Sequence, residues 1–165
     1  MNIVVAVYSE APAWTLPRAF VDQLRRDFPQ HIFHDAWDRD TLERWLPDAD
    51  VAFSAAIDRS AFRSLPRLRW VQSPAAGVGG MIGPELVASR VVLTSARGVR
   101  ARAIAEHVLG VTIALARQLP LVLRHQSAHH WALNELEAGG AIRVLQGRRM
   151  AIVGLGAIGL EVARI

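Results

Sequence analysis

The chain contains no cysteine and no lysine; all 19 of its basic residues are arginine. Without thiols it has no disulfide framework, thiol nucleophile, iron–sulfur ligand set or cysteine-based zinc site. Without lysine it has no Walker A loop, no Schiff base and no covalent pyridoxal phosphate. The same bias accounts for a sequence pI near 11.1 on a net charge of only +4, because a guanidinium titrates above about pH 12. The arginines are interleaved with 15 carboxylates and form no run of five. The basic patch that a nucleic-acid partner needs is therefore missing, and no nucleic acid is expected.

A leader and a membrane span are not legible either. "MNIVVAVYSEAPAW" lacks a basic n-region and its apolar run is too short for a signal peptide. The longest apolar stretch, Ala103 to Leu123, carries Glu106, His107, Arg117 and Pro120, which argues against a membrane partner. A cytoplasmic location is the expectation. What is present, 52% hydrophobic and 21% charged residues over 165 positions, describes a globular protein with room for one good core, or for one complete domain and a piece of another.

Short β-branched runs alternate with amphipathic segments. Strands are expected at Ile3–Val7, His31–Trp37, Asp50–Ala55, Arg69–Ser73 and Arg90–Ser95. A helix is expected over "PRAFVDQLRRDF", with Pro17 in its first turn and Phe20, Leu24 and Phe28 on one face. A second, "RDTLERWL", would be capped by Asp40 or Thr41 and pack through Leu42 and Trp45. Strands separated by helices, with few hairpin signals, predict an α/β fold: a flavodoxin-like doubly wound parallel sheet over residues 1–100. A long helix follows from Arg100 to Leu119, with Ile104, Val108, Val111 and Leu115 on one stripe, Glu106 near its positive end and Pro120 to kink or stop it. Gly139-Gly140 and Gly147 read as turns.

Two stretches carry the chemistry. "MAIVGLGAIGLEVARI" matches G-x-G-x-x-G at Gly154-Leu155-Gly156-Ala157-Ile158-Gly159, between a strand-like run and a helix on which Ile158, Val162 and Ile165 share a face. Gly154 would permit the tight turn, Gly156 would let the backbone approach a pyrophosphate, and Gly159 would let helix and strand pack closely. Glu161 would fall in the first helical turn. The other stretch, "SPAAGVGGMIG", has four glycines in seven residues directly after a strand. It offers exposed amides suited to a small carboxylate where open α/β sheets bind ligands; a plain flexible connector is the competing reading.

"WVQSPAAGVGG", "VVLTSARGVRARAIAEHVLGVTIALAR" and "LQGRRMAIVGLGAIGLEVA", in that order and spacing, resemble the D-isomer-specific 2-hydroxyacid dehydrogenases, and within them the glyoxylate and hydroxypyruvate reductase-like members. The resemblance is specific from Arg69 onward and general before it. It implies a substrate-binding first domain, a linking helix, and over 101–165 the start of a truncated Rossmann domain for NAD or NADP. It further implies that the amides of Ala76, Gly77 and Val78 hold the carboxylate of a small 2-oxo or 2-hydroxy acid, that Gly154 to Gly159 hold the pyrophosphate, and that the complete enzyme is a homodimer. Two departures stand out. Gly79 replaces the family's usual Asp after Gly-Val, and the family's catalytic Arg, Glu and His fall beyond Ile165, so no catalytic residue is assigned. The residue that chooses between NAD and NADP also falls beyond it. The chain thus reads as the amino-terminal portion of such an enzyme, inactive alone. The alternative is a non-catalytic module or remnant that binds a small anion.

The histidines fit no ligand pattern. His31 and His34 with Asp35, Asp38 and Asp40, or His125 with His129 at i, i+4, read as solvated groups and caps, with no metal expected. His107, beside Glu106, resembles the family's Ala-Glu-His element and reads as a packing or polar contact.

Overall fold

Alternate residues of β1 (Asn2–Ala6) go to opposite faces of the sheet, and both faces are covered at this strand, which is why it reads as an unbroken apolar run. Val4 and Ala6 enter one cluster, Val5 and Ile3 the other. Four more strands pair with it in parallel: β2 (Ile32–Asp35), β3 (Val51–Ser54), β4 (Trp70–Ser73) and β5 (Val92–Ser95), in spatial order β2-β1-β3-β4-β5. This is the expected flavodoxin-like order. β1 has its expected length, shifted by one residue, and β2 to β5 are shorter than their sequence patterns suggested, because only the paired residues count as ladder. The computed structural model describes residues 1–138 and 142–165. The chain forms two compact units, Met1–Arg97 and Gly98–Ile165.

In the first unit the larger cluster joins Ala52 of β3 and Val71 of β4 to Leu42, Leu46, Phe62, Leu65, Leu68, Met81 and Leu86 from the connecting segments. These include α2 (Arg39–Trp45) and α3 (Pro84–Ala88). On the opposite face α1 (Arg18–Asp27) covers β1 and β2 through Val21, against Val5 and Phe33. The expected Phe20–Leu24–Phe28 face is corrected: Phe20 and Phe28 are exposed, and Val21 with Leu24 makes the contact. The cap of α2 is likewise Asp38, not Asp40 or Thr41. Its carboxylate accepts the Thr41 N–H at 2.7 Å, while Thr41 Oγ1 accepts the Asp38 N–H at 3.2 Å, a reciprocal capping box. Leu42 is buried as expected; Trp45 stays partly exposed and stacks on His34 with ring centroids 4.3 Å apart.

In the second unit the expected helix ends slightly before Leu119, and Pro120 opens a second helix. α4 (Ala101–Ala116) ends where Gln118 adopts a left-handed φ of 54°, and α5 (Leu119–Ser127) departs at 66° with Pro120 in its first turn. The inward face of α4 is Ala101, Ala105, Val108 and Thr112; Ile104, Val111 and Leu115 of the expected stripe are exposed. The small residues allow close packing against α7 (Ala157–Arg164). α6 (Leu133–Ala138) precedes Gly139 and Gly140, which lie outside the described residues. Gly147 occupies a turn at φ 72°. The run Met150–Val153 pairs with no strand among the described residues, so the expected strand is not part of a sheet here. No single helix among the described residues is long and apolar enough to cross a membrane; α4 and α5 pass that test only as the bent pair.

Candidate functional site

The carboxyl ends of β3 and β4 carry a serine each, Ser54 and Ser73, both fully buried. Each hydroxyl accepts the N–H two residues on: Ala56 to Ser54 at 3.0 Å and Ala75 to Ser73 at 3.2 Å. Such a turn redirects the backbone at the top of the sheet without leaving the buried hydroxyl unpaired. Ser73 is level with Ser95 of β5. These serines were not singled out from sequence, although the signal was there: each closes a strand and is followed by alanine two positions later, in "FSAA" and "SPA".

Beyond Ser73 the loop is pinned at both ends. Ala96 N–H donates to Ser73 O at 3.1 Å and to Ala75 O at 3.2 Å. Val78 O accepts from Met81 at 2.9 Å and Ile82 at 3.3 Å, and Met81 is anchored in the core. Between the pins the N–H groups of Ala76, Gly77 and Val78 have no acceptor among the described residues, and Ala76 and Gly77 are exposed. Three consecutive unpaired amides at the carboxyl edge of a parallel sheet are free to donate to an anion. A Cβ on Gly77, Gly79 or Gly80 would meet nothing within 4 Å, so the loop is open to solvent. The helix that follows is short and starts only at Pro84. Tyr8, just beyond β1 on this same edge, has its phenol pushed up by burial, which keeps it a neutral O–H.

The glycine loop of the second unit has a different geometry. Gly154 sits at φ 98°, where a side chain is strained. Gly156 caps α7 in extended conformation, and a Cβ on Gly159 would lie 2.1 Å from Gly154 O. The N–H groups of Leu155 to Ile158 have no acceptor among the described residues. They lie at the positive end of an eight-residue helix whose first turn contains no carboxylate. Glu161 falls past that turn, correcting its expected place, and is drawn to Arg164 at 2.5 Å and Arg102 at 3.8 Å. Ile158, Gly159 and Val162 with Val108 and Met150 to Gly154 line a groove of about 330 Å³. Free amides, a positive helix end and glycine where a side chain would obstruct are the features that a bound pyrophosphate requires, so these residues fit a dinucleotide.

The histidines do not assemble. Among the described residues no three His, Asp or Glu side chains are placed to hold a metal. His129 lies past the end of α5 at φ 54°, so it does not share a helix face with His125, whose ring neighbour is His130 at 5.2 Å. His130 in turn pairs with Glu135 at 2.6 Å and holds that carboxyl below its ordinary range. His107 is exposed on α4.

No protein-family model matches the chain. Curated relatives are D-3-phosphoglycerate dehydrogenases: that of Mycobacterium tuberculosis is 27% identical over 133 residues, 79% of this chain and 24% of its own length. The Mycobacterium leprae protein is 26% identical over 166 residues, 99% of this chain and 30% of its own length. Among solved structures, an NAD-dependent formate dehydrogenase from Staphylococcus aureus in complex with NAD superposes with a TM-score of 0.77 at 22% identity, over 99% of this chain and 52% of its own. A D-isomer specific 2-hydroxyacid dehydrogenase family protein from Aeromonas salmonicida gives 0.71 at 24% identity, over 98% and 49%. The chain thus spans a quarter to a third of these curated relatives and about half of these solved structures.

Proposed function

We propose that the chain belongs to the D-isomer-specific 2-hydroxyacid dehydrogenase family, a reading its similarity to these relatives and structures supports, and that it is the ligand-binding portion of an oxidoreductase acting on a small 2-oxo or 2-hydroxy acid. Glyoxylate or hydroxypyruvate is the substrate type. The observation that carries this reading is the run of unpaired amides from Ala76 to Val78 at the carboxyl edge of the sheet.

In this reading Met1–Arg97 is the substrate-binding domain, and Gly98–Ile165 holds the linking helix and the start of the cofactor domain. Ala76, Gly77 and Val78 donate to the substrate carboxylate, fixing the acid by its one invariant group and leaving C2 free to react. Gly154, Leu155, Gly156, Ala157, Ile158 and Gly159 hold the pyrophosphate of NAD or NADP, with NAD favoured by the neighbour that binds it. When bound, the nicotinamide supplies the site for hydride gain or loss. No residue of this chain is assigned the proton transfer, so the 165 residues bind without turnover. The complete enzyme is a cytoplasmic homodimer.

The test is a nitrogen-edited NMR titration of the chain with glyoxylate and, separately, NADH. Glyoxylate is expected to move the amide resonances of Ala76 to Val78, and NADH those of Leu155 to Ile158. Glyoxylate shifts with no NADH effect would leave a small-anion-binding module in place of a dehydrogenase portion. No response to either ligand would overturn both readings.

A further inference from the structure

We infer that a chain of three side chains, Trp70, Thr94 and Gln72, positions the substrate loop from the exposed face of the sheet; the inference rests on Ala76 to Val78 being the carboxylate site. Gln72 of β4 is level with Thr94 of β5. Trp70 Nε1 donates to Thr94 Oγ1 at 2.7 Å, Thr94 Oγ1 donates to Gln72 Oε1 at 2.6 Å, and Gln72 Nε2 donates to Ser73 O at 2.8 Å. All three donors point the same way, toward the loop, so each bond polarises the next.

The chain ends on the one carbonyl that decides how the loop begins. Ser73 O also accepts from Ala96 N–H, which is shared with Ala75 O, while Ser73 Oγ holds the Ala75 N–H. Pro74, with its fixed φ, spans the two pinned peptides. In a trans peptide C=O and N–H are antiparallel. Holding Ala75 O toward Ala96 therefore aims the Ala76 N–H the opposite way, toward the open side of the loop. Gln72 and Thr94 thus act through Ser73 and Ala96 on the first amide of the anion site, as positioning residues that never touch the ligand. A decorative surface cluster would have no reason to end on a loop-base carbonyl with its donors aligned.

The experiment uses the full 165-residue chain, glyoxylate as probe, and Thr94→Val and Thr94→Ser. Thr94 is exposed, so both variants keep the core intact. In the native protein, saturation with glyoxylate is expected to shift the Trp70 indole N–H resonance. Thr94→Val is expected to abolish that shift and weaken binding about three- to tenfold, the effect of one neutral hydrogen bond; Thr94→Ser is expected to restore both. Native affinity and an unchanged Trp70 shift in Thr94→Val, or failure of Thr94→Ser to restore them, would overturn the inference. If the native chain does not bind glyoxylate, the functional reading fails, and amide exchange still decides the positioning claim. Thr94→Val must speed exchange at Ala75 and Ala96 at least about threefold, and unchanged exchange there overturns it.

Discussion

The carbonyl oxygen of Gly154 lies 2.1 Å from where a Cβ on Gly159 would be. That distance leaves no room for any side chain, and the obstructing atom is backbone, so the loop and α7 would have to separate. Gly159→Ala is expected to destabilise this corner by about 1–3 kcal/mol. Amide exchange from Gly154 to Val162 should accelerate while β1 to β5 are unaffected. Native exchange rates in the variant would mean that the close approach is not a property of the protein in solution.

Gly110 presents the opposite case. It lies inside α4, and a Cβ there would meet nothing within 4 Å. Alanine removes backbone freedom from the unfolded chain and suits the helix, so Gly110→Ala is expected to stabilise the second unit by about 0.5–1 kcal/mol. A thermal melt followed at 222 nm checks this; a lower midpoint would show that the position has a packing requirement absent from the structure.

On α1 the smaller residue matters more than the larger. Val21 is 1% exposed and Phe20 58%. Val21→Ala is expected to cost about 2 kcal/mol, and Phe20→Ala less than about 0.5 kcal/mol. Denaturant midpoints measured on the first unit compare the two directly, and equal losses would place Phe20 in the core after all.

Much of the fold was legible because the β-branched runs and the helical segments between them are consistent with one topology. The parallel class and the doubly wound plan followed from that alternation; the strand order did not. Faces were harder to read. Helical periodicity marks which residues share a stripe, yet α1 offers Phe20 and Val21 on adjacent stripes, and only the packing partner, Val5 with Phe33, selects Val21. α4 departs from its periodicity for the same reason: it turns Ala101 and Ala105 inward because α7 approaches closely, while its larger apolar side chains face outward. At the candidate site the glycines were visible, since their spacing alone suggests a tight turn and a close approach. Ser54, Ser73, Gln72 and Thr94 were not, because their contribution depends on strand register, which no local pattern in "WVQS" or "VLTS" encodes.

Acid should weaken the first unit through two carboxylates. Asp38 is held below the ordinary carboxylate range by the Thr41 hydroxyl and N–H, and Asp50 by the N–H of Asn2 at 2.8 Å. In the unfolded chain both return to about 3.9. The folded state thus prefers the charged forms, and their contribution is complete above the unfolded value and lost as pH falls through the lowered folded values. The native melting temperature is expected to hold from pH 7 to about pH 5 and to drop below about pH 4. Asp38→Asn and Asp50→Asn should each melt lower than the native protein at pH 7, and the gap should close as the pH approaches about 2. A gap that stays constant over the whole range would assign the loss to packing around the substituted side chain, and the two hydrogen-bonded carboxylates would not be the source of acid sensitivity.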